Sequence, residues 1–486
     1  MGTGLTTQLS EQNSLYLAID QGGHASRALL FDACGNLLHS AYREIRTLSG
    51  EGFRVEHPAD ELIQSIVEAC DEVIAQLDDA QRQCIRAAGL ATQRSSLVAW
   101  TRQGEVLTPV ISWQDRRAID DMQWWDERRE RVRELTGLWA NPHYGASKIR
   151  WLLQHDAAVA AAAQSGSLCV GPVASFILHQ ILMEKPFKSD PSNASRSLLM
   201  NVHTCSWDDE LLQPLGIDVS CLPQICPTTS NWGTLISHGL HIPVRLCTGD
   251  QSAAIFAQGL PDTSDCYVNM GTGAFVLQRC QAEQVPQRML HSVISCDEQV
   301  CLQVVEGTVN GAARALDWMA EEYGIDNWPD KLSAALSGVE NPPLFINGVS
   351  GVGSPYWLPS LANAFIPEPP NELARIAAVA ESILFLICSN LFLISHLEPR
   401  RLVASGGLAA NNRFVQILSD LSGLEIHRPD LFEATGRGVA FQLASRDADP
   451  DWVLQGAKFF PVAINAAVKT RYTAWEKQMS RHLQRA

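Results

Sequence analysis

Residues 15–32 read LYLAIDQGGHASRALLFD. Residues 15–20 are apolar and β-prone, and Gln21, Gly22 and Gly23 interrupt them with a turn. Residues 26–31 resume the apolar run, and 32–36 turn the chain again before Leu37 and Leu38. This pattern predicts a β-meander opening a domain. A related stretch, CYVNMGTGAFVLQ, stands at 266–278. Two strand–glycine turn–strand units in one chain suggest an internal duplication.

Between these two units, apolar residues at helical spacing over 60–77, behind Pro58, predict a helix. Residues 85–90 read as a buried strand, and 148–153 begin another helix. The turn-rich segment GLPDTSD at 259–265 marks a domain boundary. Beyond it, 311–323 and 372–397 read as helices, and 401–404 as a strand ending in Ser405-Gly406-Gly407. A helix over 411–421 follows, and the basic last twenty residues read as a solvated terminal helix. Strands alternating with helices make an α/β protein. The expected organisation is a disordered tail (1–13), an N-terminal domain (14–260), a C-terminal domain (261–450) and an extension (451–486).

The chain has 486 residues, 46% hydrophobic and 19% charged, with a net charge of −16, which fits a globular protein and not a disordered one. An acidic surface repels phosphate backbones, so nucleic acid is not an expected partner. Thirteen cysteines are scattered, with Cys221/Cys226 and Cys296/Cys301 spaced C-x4-C and no histidine at ligand spacing. Free, mostly buried thiols in a reducing cytosol are expected rather than a zinc site. The first 14 residues have no apolar core, so no signal peptide is expected. The apolar run 383–397, interrupted by Asn390 and His396, reads as a buried helix too short and polar to span a bilayer.

Glycine turns after strands allow close backbone approach to a phosphate, with free N–H donors. Three occur: Asp20-Gln21-Gly22-Gly23, Gly271-Thr272-Gly273 and Gly406-Gly407. Each alone mostly just reverses a chain, and neither G-x-x-x-x-G-K-[ST] nor G-x-G-x-x-G is present. Asp20, ending a strand, reads either as a turn cap or as a carboxylate holding hydrated Mg2+. Asp250, in CTGDQSAA, reads either as a helix N-cap or as a general base for a hydroxyl. Trp113, in ISWQDRR, reads equally as a core side chain or as a platform for a sugar.

Taken together, LAIDQGGHASRALLFD, ATQRSSLVAW, ISWQDRR, DPSNASRSLLMNVHTCSWDDELL, GDQSAAIFAQG, MGTGAFV, VEGTVNGAARALDWM, GVGSPYW and SGGLAANNRFVQILSDLSGLEIHRP resemble, in order, the FGGY carbohydrate kinases. Within that family the pattern is most similar to the glycerol kinases. The likeness runs from about residue 15 to 444. It implies two actin/hexokinase-like (ribonuclease H-like) α/β domains flanking a catalytic cleft. It implies a cytoplasmic enzyme, compatible with a homodimer, that uses ATP and Mg2+ on a small sugar or polyol, without nucleic acid or membrane partners. By the resemblance Asp250 is the catalytic base and, with Asp20, a metal ligand. Arg94, Ser95, Trp113, His143, Tyr144, Gln251 and Phe275 line the acceptor site with it. Gly22, Gly23, His24, Arg27, Gly271, Thr272, Gly273, Gly353, Gly407 and Asn411 surround the nucleotide. The implied chemistry is in-line γ-phosphoryl transfer to a hydroxyl.

Departures qualify the substrate. The glycerol kinases have Arg-Glu where this chain has Arg94-Ser95, and a tyrosine where it has His143. A shorter, neutral Ser95 argues for a larger sugar, sugar alcohol or ketose than glycerol. Gly23-His24 replaces the family's hydroxyl-bearing phosphate turn, and Arg437 occupies a usually apolar position. These changes keep open a kinase-like binding or regulatory protein with weak or no phosphotransfer. A pure ATPase of the same superfamily is disfavoured by the Trp113 and Gln251 segments.

Overall fold

A computed structural model describes residues 14–430, 433–444, 452, 454–462 and 466–484. The expected tail, 1–13, lies outside the described residues. The chain divides into two compact units: 1–261 with 292–303 and 432–453, and 262–291 with 304–431 and 454–486.

Unit 1 is built on strands β1 (Leu15–Gln21), β2 (Ala25–Asp32), β3 (Leu37–Glu44), β4 (Ile85–Thr92), β5 (Thr229–Ser237) and β6 (Leu240–Gly249), in the order β5-β6-β4-β1-β2-β3. The meander read from residues 15–44 is present: β1 pairs antiparallel with β2, and β2 with β3. On its other side β1 runs parallel to β4, and β4 parallel to β6. Every residue of β1 is buried, as a central strand covered on both faces requires. Helix Ala59–Ala75 turns Leu62, Ile66, Ala69, Val73 and Ile74 inward at helical spacing to cover one face. Helix Ala434–Ala444 covers the other, although it comes from late in the chain. Gly89 permits this, because a Cβ there would stand 2.7 Å from Val439.

Unit 2 repeats the plan on a sheet of β7 (Asp265–Met270), β8 (Ala274–Arg279), β9 (Leu290–Cys296), β10 (Cys301–Val309), β11 (Arg401–Ser405), β12 (Glu425–Pro429) and β13 (Gly456–Phe459), ordered β9-β10-β8-β7-β11-β12-β13, of which residues 292–303, most of β9 and the start of β10, are counted with unit 1. Here too a glycine-turn hairpin, β7–β8, is flanked by a parallel strand, β11, which is followed by the parallel β12. The same local topology in both units supports the duplication suggested by the sequence.

Several expectations are corrected. The long apolar helix is Glu372–Leu393, 22 residues, so by length and composition it could cross a membrane. Burial, not shortness, identifies it as a core helix: 89% of its apolar window is covered. Its Glu381 is paired with Arg471, the Nε–Oε2 distance being 2.8 Å. The terminal helix, Ala466–Leu483, is not simply solvated. Val468, Tyr472, Trp475 and Met479 form a stripe buried in unit 2, with Trp475 Nε1 donating to the Phe345 carbonyl at 2.9 Å. The basic side chains had masked this stripe. The cysteines are not all free, since Cys296 and Cys301 form a disulfide. Arg437 lies within unit 1 and donates to the carbonyls of Gly35, Ala257 and Trp452 while lying over the Trp452 ring. Burial lowers its pKa to about 10, so it remains charged at neutral pH, held by those carbonyls. It is a structural staple.

Gly438 is the closest approach in unit 1: a Cβ there would overlap the Ala253 carbonyl oxygen of the helix Asp250–Ala254. Gly438→Ala is therefore expected to destabilise the protein by about 3 kcal/mol, as overpacking between backbones does. Urea unfolding of the variant beside wild type checks this.

Candidate active site

The parallel strands of unit 1 bring two carboxylates together. Asp20 on β1 and Thr248 on β6 both pair with Ala91 of the intervening β4. Asp250 follows two residues after Thr248, where the chain turns into the helix Asp250–Ala254. Asp20 is buried, and Asp250 is half-buried. Desolvation raises Asp20, the charge of Asp250 raises it further, and Arg27 partly offsets both, leaving its pKa at about 7. Desolvation also raises Asp250, opposed by Arg94, by the Gln251 backbone N–H and by Arg196.

Arg27 donates to Asp20 at 3.3 Å and lies 3.6 Å from Glu433, so it partly neutralises both acids. Gly22 N donates to the Ala25 carbonyl at 2.9 Å, which closes the first glycine turn and leaves His24 exposed at its tip. This turn lies close to Trp113: a Cβ on Gly23 would stand 3.7 Å from the indole nitrogen and from Gln93 Oε1. A chain of hydrogen bonds ties the two together. Gln93 Nε2 donates to Gln21 Oε1 at 3.2 Å, Ser96 Oγ to Gln93 Oε1 at 2.9 Å, and Trp113 N to Ser96 Oγ at 2.9 Å.

Trp113 is 43% exposed, which rules out the core reading and leaves an indole available to a ligand. Arg94 donates to Gln251 Oε1 and passes directly over Gly249, where a Cβ would stand 2.6 Å from its Cδ. Gly249 is thus required for Arg94 to stand beside Asp250. Ser95 has a left-handed backbone (φ 65°) and lines a small cavity with Gly145, Asn193, Arg196 and Ser197. His143 hydrogen-bonds Asn141 Oδ1 at 3.0 Å and packs on the buried Tyr144, with ring centroids 4.0 Å apart.

Sequence reasoning missed the residues that hold this arrangement. Asp190, buried in DPSN, accepts from Ser192 N at 2.8 Å and Asn193 Nδ2 at 2.7 Å, while Ser192 Oγ accepts from Gly249 N at 2.8 Å. Asp-Pro at a helix start was the available signal, with Asp190 as N-cap and Pro191 at N1. Lys148, fully buried, donates to the carbonyls of Ser112 and His143 at 2.8 Å each, joining the Trp113 and His143 segments. Desolvation lowers its pKa to about 7, with Asp115 raising it. The signal was a lone lysine on the inward face of the helix Gly145–His155.

The remaining predicted residues belong to unit 2. Gly271 N donates to the Gly273 carbonyl at 2.9 Å, and Thr272 O accepts from Ala312 and Arg314, which sets this turn against the helix Ala313–Tyr323. A Cβ on Gly353 would overlap Thr308 O, so that position requires glycine. Gly407 faces open space, while a Cβ on Gly406 would stand 2.6 Å from the Met270 backbone. Asn411 caps the helix Asn412–Ser422 through Phe414 N at 3.0 Å, and its Nδ2 donates to Ser333 at 2.9 Å. Phe275 is half-buried on β8. A separate depression of about 660 Å3, lined by Leu48, Arg54, Glu56, Arg117 and Trp151, contains none of the predicted residues.

Comparison with known proteins agrees with this architecture. Residues 15–257 match the N-terminal domain, and 266–445 the C-terminal domain, of the FGGY family of carbohydrate kinases. A glycerol kinase of Geobacter sp. (strain M21) is 32% identical over 87% of this chain and 88% of its own length. One from Alkalilimnicola ehrlichii is 30% identical over 96% and 97%. The crystal structure of Plasmodium falciparum glycerol kinase with ADP superposes with a TM-score of 0.86 at 24% identity, covering 97% of this chain and 98% of that one. A Brucella ovis xylulose kinase gives 0.83 at 20%, covering 96% and 99%. The two matched domains span most of the chain, which therefore belongs to the FGGY family of carbohydrate kinases and is a carbohydrate or polyol kinase.

Proposed function

We propose that this kinase transfers the γ-phosphoryl group of Mg-ATP to a hydroxyl of a small sugar or polyol, with Asp250 as general base. The supporting observation is the carboxylate pair: Asp250 stands beside Asp20 and Arg94, in surroundings that raise its pKa. A raised carboxylate is a stronger base, better matched to a hydroxyl proton. Arg94, held by Gln251, and Trp113, with its open face, orient the acceptor. Lys148 fixes the segments that carry Trp113 and His143. Relatives named as glycerol kinases make glycerol the reference acceptor. Ser95 replaces a longer acid at the family's acceptor position, so we infer a longer polyol or ketose as the preferred substrate.

The residues present fit a magnesium ion. Two neighbouring carboxylates, one shifted to about 7 by burial and then by the other's charge, form an oxygen donor set short of positive charge. Asp20 and Asp250 would hold the ion, which when bound neutralises charge on the phosphate oxygens. The turns at Gly22-Gly23, Gly271–Gly273 and Gly406-Gly407 are the candidate phosphate-contacting backbone; Gly22 N–H and Gly271 N–H are already committed to carbonyls, and Gly407 faces open space. His24 stands at the exposed tip of the first turn, where the family usually carries a hydroxyl.

Asp250→Asn is expected to lower kcat by about 10^2-fold to 10^4-fold, the usual range for a general base, with folding intact. A coupled ADP-release assay over glycerol, longer polyols, ketoses and aldoses checks this, and near-normal turnover would remove Asp250 from the role. The wild-type rate should fall as pH is lowered through the raised Asp250 value, because the base must be ionised. Silence across the whole panel, with ATP still binding by calorimetry, would favour the regulatory reading.

Asp20 generates a stability prediction. Its folded pKa of about 7 lies above the ordinary 3.8, so the folded chain binds the extra proton between those values, and its stability falls as pH rises through them. Asp20→Asn removes that burden. It should be more stable than wild type at pH 8 by up to about 4 kcal/mol, the gain vanishing near pH 4. Its turnover should be impaired. Melting temperatures of both proteins across this range test the sign.

A further inference from the structure

Unit 1 carries a second constellation that the kinase site does not use. Cys205, Cys296 and Cys301 bring their sulfur atoms within 4.8 Å of one another. The last two flank the turn between β9 and β10, closed by Gln299 N and Val300 N donating to Asp297 Oδ1 at 2.8 and 2.7 Å. Cys205 comes from a distant turn, anchored by its N–H to the Asn201 carbonyl at 2.9 Å. Cys296 is fixed by Thr228, whose Oγ1 accepts from Cys296 N at 3.0 Å and whose N–H donates to the Cys296 carbonyl at 2.8 Å. Around them lies a small apolar cluster including Met200, Val202 and Val293. Cys296 is buried and the other two are half-buried.

Cys205 Sγ stands 3.8 Å from Cys296 Sγ and 3.7 Å from Cys301 Sγ. These nearly equal distances place it beside the disulfide, not on the extension of the S–S bond, where a thiolate must stand to displace a sulfur. Side-on placement is wrong for thiol–disulfide exchange, and no cation lowers the Cys205 thiol, whose pKa burial raises. It is right for a shared ligand. In a tetrahedral thiolate site with metal–sulfur bonds of about 2.3 Å, the sulfurs stand about 3.8 Å apart. Two of the three edges already have that length. Separating Cys296 from Cys301 by a similar amount completes the triangle.

We propose that Cys205, Cys296 and reduced Cys301 form a thiolate site for Zn2+, with water in the fourth position. Two equivalents of a small cellular thiol first reduce the disulfide. The S–S bond breaks, two cysteine thiols form, and the small thiols leave as their own disulfide. Zn2+ then replaces three thiol protons with three Zn–S bonds, and the protons pass to solvent. The ion fastens the 292–303 hairpin tip to the Cys205 turn within unit 1. The C-x4-C spacing shows two of the ligands in the sequence; the third lies 91 residues away from Cys296.

The test is Zn2+ uptake by the full-length protein after reduction with a phosphine and removal of the reductant, measured by elemental analysis against a chromophoric chelator. One equivalent per chain is expected, lost in Cys205→Ser and Cys301→Ser and retained in Cys221→Ser, which alters the other C-x4-C pair. Co2+ in place of Zn2+ counts thiolate ligands in the wild-type chain by its charge-transfer intensity, independently of how the variants fold, and three are expected. No stoichiometric uptake, uptake unchanged in Cys205→Ser, or two or fewer thiolates would overturn the site. So would a disulfide joining Cys205 to either partner in alkylated peptide maps, which would identify a redox relay.

Discussion

The repulsion between Asp20 and Asp250 organises the proposed active site. Folding places these carboxylates at the ends of strands that run parallel on either side of β4, so the sheet register dictates their proximity. Burial strips water from them, and the chain returns only part of the lost solvation, through Arg27 on one and Arg94 on the other. A protein selected for stability alone would not keep this pair. The proposed site, which would hold a divalent cation, gives the pair a use and accounts for keeping it at a cost in stability.

Much surrounding structure holds this arrangement. Gly249 clears a path for Arg94, and the Asp190–Ser192 capping network grips Gly249. Gly438 lets the late helix Ala434–Ala444 lie against the helix that begins at Asp250. Arg437, which looks anomalous as a sequence position, fastens that late helix by filling three carbonyl groups. The segment that carries Asp250 is therefore fixed from two directions.

The strand–glycine turn–strand units at 15–32 and 266–278 were legible because alternation of apolar runs and turn formers is local, and both hairpins form as read. The polar residues of the candidate site were legible through ordered motifs and not through composition. Lys148 and Asp190 were not. A buried lysine betrays itself only by what it bridges, and the Ser112 carbonyl is 36 residues away. The third cysteine of the sulfur cluster was invisible for the same reason. The terminal helix was misjudged because its basic side chains outweighed a four-residue apolar stripe that tertiary packing needs.

The shared charge of Asp20 and Asp250 can be measured directly, as proton exchange on binding Mg-nucleotide. Calorimetric titrations at pH 6.5, in buffers of different ionisation enthalpy, count the protons released beyond those of the nucleotide itself. With the Asp20 pKa near 7, most of one proton per site should be released, and none from this group in Asp20→Asn. Tight binding with no proton release in the wild-type protein would show that Asp20 is already ionised, and would contradict the proposed origin of the site.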